Sequence, residues 1–133
     1  MGDKQQKILV VDDLSDWRAT LRGMLREEGY EVHVADSSSS ALALLESDSF
    51  DLALLDVRLD ETDEDNAEGL SLASEISHRW PTVKIAIITG YGTQETIKLA
   101  MEPDLHGQKL ATEFIFKTQT SDLVRIVQEV LSK

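Results

Sequence analysis

Short apolar runs that end on polar residues constrain the fold of this 133-residue chain more than any other feature. Four such runs end on a pair of carboxylates, a single carboxylate, a hydroxyl and an amine. They are Lys7–Asp13 (KILVVDD), Asp51–Asp56 (DLALLD), Lys84–Thr89 (KIAIIT) and Glu113–Lys117 (EFIFK). Because the segments between them show helical periodicity, we expect these runs to be strands of one parallel sheet.

A fifth strand is predicted where polar and apolar residues alternate. The predicted strands are Ile8–Asp12, Tyr30–Ala35, Phe50–Asp56, Val83–Thr89 and Phe114–Lys117. Each is followed by an amphipathic helical segment, which gives a (βα)5 pattern with no segment left over. Right-handed crossovers then predict an α/β fold with a doubly wound, five-stranded parallel sheet of order 2-1-3-4-5 and helices on both faces, as in flavodoxin-like proteins.

Helix ends are predicted from small polar residues, glycine and proline. Ser15 is the expected N-cap of the first helix, and Gly29 the residue that stops it. The serines at positions 37–40 are expected to form the cap and first turn of the second helix. Thr93 is expected to cap the fourth helix and Ser121 the last one.

Composition excludes several classes of function. The chain has no cysteine, which excludes disulfides, thiolate catalysis and cysteine-based zinc sites. Its formal net charge of −12 argues against direct nucleic-acid binding. No apolar run approaches the roughly 18 residues that span a membrane, and no signal peptide is recognisable, so we expect a cytoplasmic protein. The length predicts a single domain over residues 1–133, with a core from about residue 7 to about residue 132.

The polar strand ends predict phosphoryl chemistry. Carboxyl ends of parallel strands share one edge, where Asp12, Asp13 and Asp56 would meet and repel one another. A hard divalent cation, Mg²⁺ (or Mn²⁺), would neutralise them, and one carboxylate would attack phosphorus to give an aspartyl phosphate. Lys117 would supply further positive charge, and Thr89 a hydroxyl that donates to the new phosphate.

The motifs that carry this chemistry resemble those of the receiver domain of two-component response regulators, over essentially the whole chain. They are VVDD (Val10–Asp13), LALLD (Leu52–Asp56), IITGYG (Ile87–Gly92) and EFIFK (Glu113–Lys117). The resemblance implies a signalling domain that catalyses only its own phosphorylation and slow dephosphorylation. It also implies a sensor histidine kinase or phosphotransfer protein as donor, and a downstream protein or effector domain as output partner.

The resemblance assigns a role to each matching residue. Asp56 corresponds to the phosphoacceptor, while Asp12 and Asp13 correspond to the acidic pair that holds Mg²⁺. Asp56 itself and the main-chain carbonyl of Arg58 would be further ligands. Lys117 corresponds to the lysine that pairs with the phosphoryl group.

Two further pairs of positions would control switching and lifetime. Thr89 corresponds to the switch hydroxyl and Phe114 to the aromatic switch residue, and phosphorylation would shift the surface formed by the fourth helix, fifth strand and fifth helix. Arg58 and Tyr91 correspond to positions that flank the path of the hydrolytic water. Because both are bulky, we expect slower self-dephosphorylation than with small side chains at these positions.

Three departures from the family pattern stand out. Thr118 replaces the proline that usually follows the lysine. The loop around residues 60–68 (DETDEDNAE) and the segment around residues 101–110 are longer than usual. The second extension lies where receivers commonly contact partners, which predicts an output partner or a dimer geometry unlike that of the common transcription-factor receivers.

Other functions remain open at this point. The altered turn after Lys117 and the long loops are compatible with a phosphorylation-independent pseudo-receiver that only binds proteins. A phosphohydrolase would need a second carboxylate at position 58, and the arginine found there argues against this function. A flavin-binding role would need a phosphate-binding loop where Asp12 and Asp13 stand.

Overall fold

A computed structural model describes residues 5–56, 68–89, 113–116 and 120–132. Five strands and four helices lie within these ranges. The strands are β1 (Lys7–Val11), β2 (Glu31–Ala35), β3 (Leu52–Asp56), β4 (Lys84–Thr89) and β5 (Glu113–Phe116). The helices are α1 (Ser15–Glu27), α2 (Ser38–Ser47), α3 (Glu68–Arg79) and α4 (Thr120–Leu131). The helix predicted after Thr93 lies outside the described residues.

The strands form one parallel sheet in the order β2-β1-β3-β4-β5, which confirms the predicted topology. Val11 pairs with Leu55, and Asp56 pairs with Ile88. At the next pair of strands, Thr89 lies opposite Phe116. This register brings the carboxyl ends of β1, β3, β4 and β5 to the same edge of the sheet.

Alternate residues of each central strand pack into two hydrophobic cores, one on each face of the sheet. Leu9 and Val11 of β1 pack with α2 and α3, whereas Ile8 and Val10 pack with α1 and α4. Burial on both faces explains why these strands are almost wholly apolar, since a parallel strand covered on both sides has no solvent-facing residues. None of the described helices is long and apolar enough to cross a membrane.

Glycine stops α1 as predicted. Gly29 has a φ of +93°, a conformation in which residues with a side chain are strained. Its N–H donates to the carbonyl of Arg26 at 3.0 Å, and the N–H of Tyr30 donates to the carbonyl of Leu25 at 3.3 Å. These two bonds form a Schellman motif, which satisfies carbonyls that the helix itself leaves unpaired.

The serine-rich segment caps α2 as predicted, in a reciprocal capping box. The Ser37 hydroxyl accepts the Ser40 N–H at 3.2 Å, and the Ser37 N–H donates to the Ser40 hydroxyl at the same distance. The four serines are therefore a structured helix start.

Two other helices begin earlier in the sequence than their predicted caps imply. The N-cap of α1 is Leu14, and Ser15 is already helical. The reason is a tight turn in which the Asp12 carboxylate accepts the Leu14 N–H at 2.9 Å, so the helix begins as soon as this turn ends. Likewise, α4 begins at Thr120, which places Ser121 inside the helix.

Candidate metal centre

Three carboxylates come together at the carboxyl edge of the sheet. Asp12 and Asp13 follow β1, and Asp56 is the last residue of β3, the neighbouring strand. One oxygen of each carboxylate lies within 4.8 Å of the others. Asp12 and Asp56 are completely buried, whereas Asp13 is half-buried.

Three hydrogen bonds hold Asp12, one each to β2, to the turn before α1 and to α1 itself. Its N–H donates to the carbonyl of Ala35 in β2 at 3.1 Å, which ties it to the edge strand. Its carboxylate Oδ1 accepts the N–H of Leu14 at 2.9 Å. Its main-chain carbonyl accepts a bond from the Arg18 guanidinium of α1 at 2.8 Å. Both the side chain and the backbone at this position are therefore fixed.

The donor set fits a hard divalent cation. Carboxylate oxygens are the ligands that Mg²⁺ and Mn²⁺ prefer, and Mg²⁺ is commonly held by one or two carboxylates with water and phosphate oxygens. Three acidic groups within 4.8 Å concentrate negative charge in a buried position, which a cation stabilises strongly. Asp12, Asp13 and Asp56 are thus suited to hold such an ion.

The remaining predicted site residues are placed only in part. Thr89 is the last residue of β4, one position beyond the residue that pairs with Asp56. Phe114 in β5 is half-buried against the core that faces α2 and α3, and its ring centroid is 5.5 Å from that of Phe116 at an angle of 62°. The predictions for Arg58, Tyr91 and Lys117 fall on residues outside the described ranges.

A second group of possible ligands, at the start of β1 and β2, was missed by sequence reasoning. Glu31, His33 and Asp48 place one ligand atom each within 4.8 Å of the others. The ammonium of Lys7 lies 2.7 Å from an oxygen of Asp48 and 3.6 Å from an oxygen of Glu31. A cation of the protein itself therefore occupies this cluster, and we interpret it as an ion-pair network. The available sequence signal was a basic residue opening one strand and an acidic residue opening its neighbour, which the parallel register places opposite each other.

Hydrogen bonds within this network shift the pKa values of Lys7, Glu31 and Asp48. The bond from Lys7 is the main cause that lowers the pKa of the Asp48 carboxyl, and the bond to Asp48 raises the pKa of Lys7. His33 donates from Nε2 to Glu31 at 2.8 Å, which lowers the pKa of the Glu31 carboxyl.

Comparison with known proteins agrees with this geometry. Residues 8–128 match the family described as the response regulator receiver domain. The chain belongs to this family. Among its relatives is the alginate biosynthesis transcriptional regulatory protein AlgB of Pseudomonas aeruginosa, which is 35% identical over 125 residues. That alignment covers 94% of this chain and 25% of AlgB, so this receiver domain spans about a quarter of the length of the relative.

Solved receiver structures superimpose on nearly the whole chain. A CheY-like receiver domain protein from Methanospirillum hungatei JF-1 has a TM-score of 0.79 at 30% identity, with 97% of this chain and 95% of that chain covered. The response regulator TrrA of Thermotoga maritima, in complex with Mg²⁺–BeF, has a TM-score of 0.73 at 28% identity, with 95% and 99% covered. These similarities confirm the predicted family and fold.

Proposed function

We propose that this receiver domain accepts a phosphoryl group on Asp56 in a Mg²⁺-dependent reaction and thereby switches a protein-interaction surface. The observation that carries the proposal is the buried cluster of Asp12, Asp13 and Asp56 at the carboxyl edge of the sheet. Carboxylates gathered in this way favour a divalent cation, and a phosphoryl group brings oxygens that share such a cation.

The position of Asp56 suits the attacking residue. Its strand, β3, is the central strand of the sheet, between β1 with its acidic pair and β4, which ends at Thr89. A carboxylate oxygen of Asp56 attacks the phosphorus of the donor. The new O–P bond forms as the bond from phosphorus to the leaving group breaks, and the leaving group takes the electron pair. For a phosphohistidine donor, the leaving group is an imidazole nitrogen.

The other groups of the site would position the phosphoryl group and neutralise its negative charge. Asp12, Asp13 and Asp56, with the main-chain carbonyl of Arg58, would hold Mg²⁺ or Mn²⁺. When bound, the ion offsets negative charge on the carboxylates and on the transferred oxygens. Lys117 would pair with the phosphoryl group and Thr89 would donate to it. The Mg²⁺–BeF complex of the similar TrrA supports this assignment by analogy.

The partners follow from the family and from the relatives. We propose a sensor histidine kinase or a phosphotransfer protein as donor, acting in the cytoplasm. The relative AlgB is a transcriptional regulatory protein about four times as long as the matched region, which supports a downstream effector domain or protein as the output partner. Residues 1–133 would then act as one receiver domain, with a core from about residue 7 to about residue 132.

Switching would pass through Thr89 and Phe114 to the surface around β5 and α4. The half-buried ring of Phe114 contacts the core on one side, so a change in its exposure requires little repacking of fully buried residues. Arg58 and Tyr91 would slow hydrolysis of the aspartyl phosphate. If they do, replacing both by Ala changes the half-life of the phosphorylated protein, and an unchanged half-life contradicts this role.

Intact-mass spectrometry after incubation with Mg²⁺ and acetyl phosphate tests the proposal. We expect one added phosphoryl group that requires Mg²⁺ and is lost in Asp56→Asn. Asp51→Asn is a matched control, because Asp51 lies just before the opposite end of the same strand and is exposed. The control should be phosphorylated like the wild type.

Absence of an adduct in the wild type, under conditions that modify another receiver, would refute the proposal. That result would favour the alternative function of a phosphorylation-independent pseudo-receiver. An adduct that persists in Asp56→Asn would instead show that another residue is the acceptor.

A further inference from the structure

Arg18 links helix α1 to the acidic end of β1. It lies in the first turn of α1 and is half-buried. Its guanidinium Nη1 donates to the main-chain carbonyl of Asp12 at 2.8 Å, and its own N–H donates to the carbonyl of Leu14 at 3.1 Å. The residue therefore contacts both the start of its helix and the backbone of the site.

The carbonyl that Arg18 binds belongs to the peptide unit joining Asp12 to Asp13. Since a peptide unit is planar, holding its oxygen fixes the orientation of the whole unit. That orientation sets the position of the Cα of Asp13 and so limits the positions that its carboxylate can reach. The Asp12 carboxylate is held separately by the Leu14 N–H. Arg18 thus restricts the relative position of two neighbouring carboxylates without contacting either through this bond.

We propose that Arg18 is a positioning residue for the acidic pair and that it raises the affinity of the site for divalent cations. The inference rests on the proposed function, in which Asp12 and Asp13 hold Mg²⁺. Removing a group that orients metal ligands without binding the metal itself commonly weakens metal affinity by about 10- to 100-fold.

The charge of Arg18 acts in the opposite direction. A guanidinium near the site repels a divalent cation, so charge alone would make Mg²⁺ bind more tightly after Arg18 is replaced. Positioning predicts weaker binding after the same replacement. The sign of the change in affinity therefore separates the two effects.

The test measures the dissociation constant for Mg²⁺ by calorimetry, with the chelator-treated chain of residues 1–133 and no phosphodonor. Arg18→Met keeps an unbranched stem but removes both the donor and the charge. We expect Mg²⁺ to bind about 10- to 100-fold more weakly to this variant. Arg18→Lys, which restores a charged donor, should recover most of the loss. Arg22→Met removes the same charge from an exposed position one turn further along α1 and should bind Mg²⁺ like the wild type.

Thermal unfolding of the same proteins distinguishes positioning from a purely structural role. If Arg18 only anchored the helix, Arg18→Met would lower the melting temperature and leave the Mg²⁺ affinity unchanged, which would overturn the inference. Unchanged or tighter Mg²⁺ binding by a folded Arg18→Met variant would overturn it as well. Should this variant not fold, Arg18→Gln takes its place in the same comparison.

Failure of this inference is distinguishable from failure of the proposed function. If the wild type does not bind Mg²⁺, or binds it equally after Asp13→Asn, the metal-dependent function is refuted together with the role of Arg18. If the wild type binds Mg²⁺ through Asp13 but Arg18→Met binds equally well, only the role of Arg18 is refuted.

Discussion

Replacing Asp56 with Asn should stabilise the protein in the absence of divalent cations. Three carboxylates lie within 4.8 Å of one another, and Asp56 takes part in two of the three pairs. At 4.8 Å and an effective dielectric constant of about 20, each pair of charges repels by about 3.5 kcal/mol. Because solvent and neighbouring charges screen part of this repulsion, we expect Asp56→Asn to raise the free energy of unfolding by about 1–3 kcal/mol.

Mg²⁺ should reduce the stability advantage of Asp56→Asn over the wild type. A ligand that binds only the folded state stabilises it by about 2.7 kcal/mol at a concentration 100 times its dissociation constant. The wild type should gain this stability when Mg²⁺ is added. The variant has lost one of the three carboxylates and should gain much less.

Urea denaturation in chelator and in saturating Mg²⁺ measures both effects. Asp51→Asn, one residue before the start of β3, serves as the charge-matched control and should respond to Mg²⁺ like the wild type. The electrostatic reasoning fails if Asp56→Asn is no more stable than the wild type in chelator. It fails equally if Mg²⁺ stabilises the two proteins by the same amount.

Three further predictions concern the stability of the scaffold. Lys7→Met should destabilise the protein at neutral pH by removing the ion pair with Asp48. Because the folded state depresses the pKa of Asp48, the stability from this ion pair is present above the ordinary carboxyl pKa and disappears as the pH falls below about 4. Urea denaturation at several pH values should therefore show the stabilities of the two proteins converging in acid. A difference independent of pH would contradict this. Gly29→Ala should lower the free energy of unfolding by about 1–2 kcal/mol because φ is +93° there. Gly23→Ala, inside α1 with open space around the new methyl group, should raise it by about 0.5–1 kcal/mol. The two variants should therefore shift the melting temperature in opposite directions. Ser37→Ala should cost about 1 kcal/mol in urea denaturation through loss of the cap of α2, and no loss would show that the capping box contributes nothing.

The strands could be predicted from the sequence because burial on both faces requires a continuous run of apolar residues. β1 and β3 are nearly continuous apolar runs, and each ends on an aspartate that lies at or next to the strand end. The strand order was predicted from right-handed crossovers with helices on both faces of the sheet. The boundaries shifted by one or two residues, since a strand ends where its ladder ends and not where hydrophobicity ends. Thus β3 begins at Leu52, although Phe50 is buried as well.

The candidate site was partly predictable for the same reason. Asp12 and Asp56 are far apart in the sequence, but the rule that parallel strands share one carboxyl edge predicts that they meet. Their separation within 4.8 Å follows from the pairing of Val11 with Leu55. The roles of Arg58, Tyr91 and Lys117 remain predictions, because these residues lie outside the described ranges.

The sequence by itself determined the parallel α/β sheet and the family, and it supplied the residues that we propose for phosphoryl chemistry. Each of these depends on local periodicity or on short motifs. Only the tertiary structure decided which partner each long charged side chain contacts: the ammonium of Lys7 contacts Asp48, and the guanidinium of Arg18 contacts the carbonyl of Asp12. The physical reason is that a long charged side chain reaches several possible partners. The packing of the helices against the sheet selects one of these partners, and no local sequence pattern predicts which one.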